Sequence, residues 1–273
     1  MTDALTTTEH TAATQQPVSR PHALARHSLA LAGRSLTKVR RNPGLFMDAI
    51  LLPVIFLLLF VYLFGGAVAG STQEYLQYVF PGILVMTAIL TGLTSTGLAI
   101  NLDIKKGVFD RFRSLPIGRS APLLGSVLGD MVRYIVAFVT LFAIGYLMGF
   151  RVETNAGSAL AAATLALLFG FSLSWVNVLI GVTVKEETAV TTFAFLGIFP
   201  LAFGTSMVAP AETMPGWLQA WVDVNPVSHV VEAAQGLLLG GPVSGPVTAS
   251  LLWSAAFVAV FVPASVYAYR KRA

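Results

Sequence analysis

The stretch GLFMDAILLPVIFLLLFVYLFGG, residues 44–66, decides the fold class. Its only charged residue is Asp48, near its start. A bilayer hydrocarbon core of about 30 Å takes roughly 20 residues of helix at 1.5 Å each, and this run is long enough to cross one. Five more runs of similar character follow, at 79–101, 122–149, 157–184, 188–208 and 247–269.

The whole chain agrees with those runs. It has 273 residues, 55% of them hydrophobic and only 11% charged, and its mean hydropathy is +0.75. Soluble domains carry about 25% charged residues. Charge this sparse cannot cover a water-soluble globule, so lipid must be the solvent for much of the surface. The expected fold is an all-α integral membrane protein with six transmembrane helices. There is no cysteine, which excludes a disulfide framework and any thiolate metal site or nucleophile.

Charge placement orients the spans. Arg20, Arg26, Arg34, Lys38, Arg40 and Arg41 precede the first run. Lys105, Lys106, Arg111, Arg113 and Arg119 lie between the second and third, and Lys185 between the fourth and fifth. Arg270, Lys271 and Arg272 follow the last. With six spans all four regions fall on one side, and the other keeps only Arg151 beside Glu74, Glu153, Glu212 and Asp223. By the positive-inside rule both termini are cytoplasmic. In a membrane protein this placement outweighs the net charge of +4, so the basic balance does not point to nucleic acid.

The soluble segments divide the chain. Residues 1–21, rich in Thr, Ala and Gln, read as a solvated tail with no signal-peptide core. Residues 22–43 hold an amphipathic helix: over 23–41 the cations Arg26, Arg34, Lys38, Arg40 and Arg41 share one face, and Leu24, Leu29, Leu31, Leu36 and Val39 the other. Such a helix suits the cytoplasmic headgroup layer. Residues 44–273 form the transmembrane domain. Within it, 210–245 is too polar and too rich in Pro and Gly for a span. It reads as two short helices dipping into the outer leaflet, with Trp217 and Trp221 at the interface.

The loop between the second and third runs, NLDIKKGVFDRFRSLPIGRSAP at 101–122, predicts a short helix over 103–115. Ile104, Val108, Phe109, Phe112 and Leu115 interleave with Asp103, Lys105, Lys106, Asp110, Arg111 and Arg113. Aromatic knobs with a charged rim fit a groove on a partner protein, while a loop lying on lipid headgroups would share the composition.

Ionisable and polar groups in or near the spans need partners. Asp130 and Arg133, three apart, predict an ion pair near the cytoplasmic end with Arg133 reaching toward water. Asp48, in the first turn of its run, faces the positive end of a helix dipole. Glu186 and Glu187 sit in a tight cytoplasmic turn beside Lys185 and are expected to be solvated. His229 and Glu232, after Asn225-Pro226, stand three apart in the outer segment as a local pair or the lining of an exit. Gly125 and Gly129 form a small-xxx-small step for close helix packing.

No GxxxxGK[ST] loop occurs, and no Lys precedes Ser or Thr, so the chain has no recognisable hold on ATP. HExxH, GxSxG and paired histidines are missing too, and no metal-ligand cluster can be assembled. The chain reads as a transporter component and not as an enzyme.

The loop stretch 109–116, FDRFRSLP, followed by Pro122-Leu123-Leu124-Gly125, resembles the coupling-helix loop of type-2 ABC exporter permeases. Asn225-Pro226-Val227-Ser228-His229, Glu232-Ala233, the glycines between 236 and 240, and Trp217-Leu218 after Met214-Pro215-Gly216 are similar to that family's segment before the last span. Leu52-Pro53, Phe60-Val61-Tyr62 and Phe64-Gly65-Gly66 resemble the daunorubicin-resistance permeases of actinomycetes. The likeness runs from about residue 34 to 269.

The resemblance implies a dimer of permeases in a bacterial cell membrane, formed by two copies or by two related chains, over a dimer of separate ATPase subunits. ATP and Mg would be held by the partner, and this chain would carry no cofactor. Residues 103–115 become the coupling helix, 23–41 the interfacial helix and 210–245 the extracellular re-entrant helices. The expected activity is efflux of amphipathic drug-like or lipid-like compounds along mostly apolar walls. Phe56, Phe60, Phe80, Asn177, Phe193 and Phe195 are the side chains of suitable type. The rival reading, an ion-coupled secondary transporter, would rest on Asp130 as its titrating group.

Overall fold

The computed structural model describes residues 43–107 and 121–272. The tail, the amphipathic helix at 23–41 and most of the loop at 103–115 lie outside them. Eight α-helices follow in order: α1 Pro43–Val68, α2 Thr72–Lys105, α3 Ala121–Met148, α4 Ala156–Thr183, α5 Glu187–Phe203, α6 Gly216–Val224, α7 Pro226–Leu239 and α8 Ser244–Arg272. A single 3₁₀ turn at Ala211–Thr213 precedes α6. No strand occurs among the described residues.

Five of these helices, α1, α2, α3, α4 and α8, are long and apolar enough to cross a membrane. The fifth expected run, 188–208, is shorter than its hydropathy suggests: α5 has 17 residues, about 26 Å, and stops at Phe203. The cause is local. Asn225 donates from Nδ2 to the carbonyls of Leu201 at 2.9 Å and Gly204 at 2.7 Å, supplying the partners that the last turn of a helix lacks. In contrast, α2 outruns its apolar stretch at both ends. Ser71 caps its N-terminus by accepting from the Glu74 amide, and at 34 residues the helix is about 51 Å long.

The hub of the bundle is α2, which packs against α1, α3, α4, α5 and α7. Leu76, Val79, Phe80, Ile83 and Leu84 of α2 are buried with Leu57 and Val61 of α1, Phe138 and Leu141 of α3, Phe169 of α4 and Ile198 of α5. Helices already in lipid gain little from leaving it, so close van der Waals packing must hold them together. Glycine permits that at the α2–α4 crossing. A Cβ at Gly181 would collide with the Gly97 carbonyl oxygen, and one at Gly97 with the carbonyl of Asn177. Gly125 and Gly129 are buried in α3.

A second apolar cluster lies nearer the other end, where Ile100 of α2 meets Leu123 and Val127 of α3, Trp175, Val178 and Val182 of α4, and Tyr269 of α8. Helices α6 and α7 are too short to cross a bilayer, at 9 and 14 residues. Asn225 starts α7 by accepting from the Val227 amide, with Pro226 in the first helical position, where its missing N–H costs nothing. Val227, Val230, Val231, Ala234 and Leu238 then sink into the main core between α2, α4, α5 and α8.

Candidate functional site

Two polar regions flank the apolar core. At one end the C-termini of α2, α4 and α8 meet the N-terminus of α5. This end carries Lys105, Lys106, Lys185, Arg270, Lys271 and Arg272. Asn101, fully buried, donates from Nδ2 to the carbonyls of Gly181 at 3.1 Å and Val184 at 2.7 Å. Arg272 reaches from the end of α8 to the same place, donating to the carbonyl of Val182 and, at 2.9 Å, to that of Val184. Orphan carbonyls at a helix C-terminus attract cations and donors, and here two neighbouring helices supply them. Lys105 closes the ring with a 3.0 Å ion pair to Glu187 in the first turn of α5.

This ring sits where α2 leads into the predicted coupling loop. Asp103 and Lys105 do not begin a new helix: they form the last turn of α2, and Lys106 caps it. Gly107 then breaks the chain direction with φ +64, a backbone region that glycine enters without strain. Of the helix expected over 103–115, residues 103–105 thus belong to α2. Phe109, Asp110, Arg111, Phe112, Arg113 and Leu115 lie outside the described residues. Glu186 is exposed as expected, and Glu187 stays partly exposed while it pairs with Lys105 across the helix boundary.

Deeper along α3, Asp130 and Arg133 form the expected pair, Oδ1 to Nη1 at 3.7 Å. Arg133 is only 3% exposed and so does not reach water. Instead the Thr96 hydroxyl of α2 donates to Asp130 Oδ2 at 2.6 Å, tying the two helices through a partly buried carboxylate. Charges removed from solvent are retained only with partners of this kind.

The predicted path residues separate into two groups. Phe56 and Phe60 of α1 stack at 5.9 Å, and Phe60 continues onto Phe64 at 5.7 Å. Phe56 also meets Phe203 of α5 at 6.2 Å, from which Phe199 and Phe195 follow at 4.5 and 5.0 Å. The result is an aromatic ladder that passes from one helix to another. Phe193 is exposed on α5, outside those ring pairs. Phe80 and Asn177 stand elsewhere. Phe80 stacks on Phe150 at 3.9 Å in the core, and Asn177 donates to the Gly92 carbonyl at 3.0 Å, joining α4 to α2. Residue type suggested Phe80 and Asn177 but could not reveal that both are consumed by packing. The missed members Phe64, Phe199 and Phe203 carry a signal in hindsight, since each continues an i, i+4 series.

The opposite end is laced together by side chains that reach backbone. Gln73 donates to the Gly149 carbonyl at 2.8 Å, and Gln77 exchanges hydrogen bonds with the amide and carbonyl of Arg151 at 3.1 and 3.2 Å. Tyr75 and Tyr78 donate to the carbonyls of Val208 and Ser206 at 2.9 and 2.5 Å. Thr154 donates to Leu237 at 2.6 Å, and the Glu153 amide to Leu238 at 2.9 Å. Trp217 is 74% exposed, while Trp221 packs its indole against Gly204. His229 and Glu232 share no hydrogen bond among the described residues. The surrounding protein withdraws water from the Glu232 carboxyl and raises its pKa; His229 opposes that effect and Asp223 adds to it.

Among the described residues no group of three or more His, Cys, Asp or Glu could hold a metal ion. The comparisons with known proteins agree with one another. The ABC-2 type transporter family matches residues 26–239. The daunorubicin resistance ABC transporter permease protein DrrB1 of Streptomyces coeruleorubidus is 42% identical over 239 residues, 88% of this chain and 84% of the relative. The probable doxorubicin resistance ABC transporter permease protein DrrC of Mycobacterium tuberculosis is 24% identical over 89% of this chain and 88% of its own. A putative transport permease, ycf38 of Pyropia yezoensis, is 25% identical over 79% and 75%.

Proposed function

The chain belongs to the ABC-2 type transporter family, and from that premise we propose that it is the permease subunit of an exporter for amphipathic drug-like or lipid-like compounds. A separate ABC ATPase, working as a dimer, binds ATP and Mg and hydrolyses the nucleotide. A second copy of this chain, or a related permease, completes the pore. The names of these relatives, which concern daunorubicin and doxorubicin resistance, support the substrate class.

In this reading the five long helices and α5 make six spans, with both termini in the cytoplasm of a bacterial cell. The alternation of the helices supports it, because Lys105, Lys185 and Arg270–Arg272 then share one side and Arg151 the other. Helices α6 and α7 are re-entrant from the outer side, and 23–41 lies along the inner headgroups. The loop that follows Gly107 docks on the ATPase. Movement of that loop pulls on the end of α2, and through Asn101 and the Lys105–Glu187 pair on α4 and α5. The aromatic ladder of α1 and α5 then lines the path for apolar cargo. One observation carries the mechanical part: the loop joins α2 immediately beyond the ring that ties α2, α4, α5 and α8. The ion-coupled alternative is disfavoured by the family, and Asp130 already has Thr96 and Arg133 as partners.

The test is export of a fluorescent anthracycline from cells that express the chain with its ATPase. Phe112→Ala with Arg113→Ala is expected to leave insertion intact and to abolish ATPase association or drug-stimulated turnover. Export that persists without ATP and collapses with the proton gradient would overturn the proposal.

A further inference from the structure

Outside the ladder and the junction, the described surface of the bundle carries an apolar groove. It runs between α3 and α4, with a volume of about 830 Å³, within the roughly 300–1,000 Å³ range of ligand sites. Ile135, Phe138, Val139 and Phe142 form one wall, and Ala159, Ala163 and Leu167 of α4 the other. Its length is informative. From Ile135 to Tyr146 on α3, and again from Ala156 to Leu167 on α4, the lining spans twelve residues, about 16 Å of helix rise. Half of a bilayer hydrocarbon core is about 15 Å, so the groove is one leaflet deep.

Its mouth is polar. Tyr146, Thr154 and Asn155 line that end, and Arg151 lies over the Tyr146 ring, its guanidinium carbon 5.4 Å from the centroid. One guanidinium nitrogen donates to the carbonyls of Tyr146 and Phe150 at 2.9 and 2.8 Å. That fixes the group over the mouth while the side chain stays exposed. In the proposed topology Arg151 is the only Lys or Arg on its side of the membrane. It sits where an apolar channel one leaflet long reaches headgroup level.

We propose that this groove is a binding site for one phospholipid, with an acyl chain between α3 and α4 and its phosphate on Arg151. The occupant follows from the match of depth, apolar lining and a single cation at the mouth; guanidinium forks suit phosphate oxygens. Glu153, exposed on the same loop, brings a carboxylate near the mouth. The proposal therefore rests on the phosphate, which every phospholipid carries, and not on a net negative headgroup. The site is independent of the aromatic path and uses only the membrane orientation of the proposed function.

The test is native mass spectrometry of the full chain purified in detergent, with 1-palmitoyl-2-oleoyl phosphatidylethanolamine or phosphatidylglycerol added. The wild type is expected to retain one lipid per chain at detergent concentrations that strip the rest. Ala159→Trp, which fills the groove, is expected to remove that lipid. Arg151→Gln is expected to weaken retention about tenfold, and Arg151→Lys less, with circular dichroism and melting of all three variants unchanged in lipid-free detergent. Equal retention by wild type, Ala159→Trp and Arg151→Gln would overturn the site. So would efficient disulfide formation between copies bearing Val139→Cys and Leu160→Cys, because protein would then cover the face. Loss of drug export with lipid retention unaltered would strike the exporter reading and leave this one standing.

Discussion

The two ends of the bundle are built differently. At the Arg151 end, side chains from α2 and the α3–α4 turn reach backbone groups of the α3–α4 turn, of the segment after α5 and of α7, and α7 is packed into the core beneath them. At the basic end the contacts among the described residues converge on one place, the carbonyls of Gly181, Val182 and Val184 with Glu187 just beyond. Many distributed bonds make a rigid cap. A few bonds that share one acceptor cluster make a joint, since displacing α2 or α8 moves the same turn. In the proposed exporter that joint lies on the side assigned to the ATPase.

The largest expected effect tests what both ends depend on. Gly97→Leu places a side chain against the Asn177 backbone at the α2–α4 crossing. Overpacking costs about 1–3 kcal/mol even where neighbours can yield, and here the neighbour is backbone. The folded, monodisperse yield in detergent should fall close to zero, and near-normal recovery would show that α2 and α4 do not cross there.

Asn225→Ala attacks the cap. It strands the carbonyls of Leu201 and Gly204 and uncaps α7. Unsatisfied buried groups cost about 1–3 kcal/mol each, so the melting temperature should drop by several degrees, and the same fall is expected with or without the ATPase. Asn101→Ala, its counterpart in the joint, removes two bonds of the same kind. A stability loss of about 1–3 kcal/mol is expected, together with a loss of coupling between drug and ATP hydrolysis that Asn225→Ala does not share. Equal uncoupling by both variants would erase the distinction between cap and joint.

The Lys105–Glu187 pair is exposed, and such pairs contribute about 0–1 kcal/mol. Lys105→Glu should leave melting nearly unchanged and reduce stimulated turnover several-fold. Lys105→Glu with Glu187→Lys should recover it; a double variant as impaired as the single one would remove the pair from the joint. The smallest effect is at Glu232. Its carboxyl is raised by loss of water, so the folded state holds its proton more tightly than the unfolded chain does. Stability is then favoured at low pH and falls as pH rises through the carboxylate range. Glu232→Gln should raise the melting temperature slightly at neutral pH and change nothing below about pH 4, where an unfolded glutamate is itself protonated. A destabilised variant at neutral pH would mean that Glu232 is held by a favourable ion pair.

The helical class and most of the long helices were legible because apolar runs the length of a bilayer are set by residue type alone. The end of α5 was less legible, since 188–208 stays apolar to Val208 while the helix stops where Asn225, over twenty residues away, supplies its donors. The Asp130–Arg133 spacing marked a pair, but nothing local disclosed that Thr96 would hold the carboxylate or that the arginine would be buried. The coupling loop was recognised by resemblance, and its structure lies beyond the described residues.

By itself, then, the sequence determined that this chain lives in lipid, which side carries its cations, and which family its loops resemble. Composition, hydropathy and local spacing act along the chain and need no partner. Tertiary structure alone decided which phenylalanines form a ladder and which fill the core, which glycines let α2 touch α4, and which carbonyls Asn101, Arg272 and Asn225 secure. Those outcomes depend on groups far apart in sequence. In an apolar solvent, where hydrophobicity no longer sorts inside from outside, packing fit and hydrogen-bond satisfaction between distant segments make the choice.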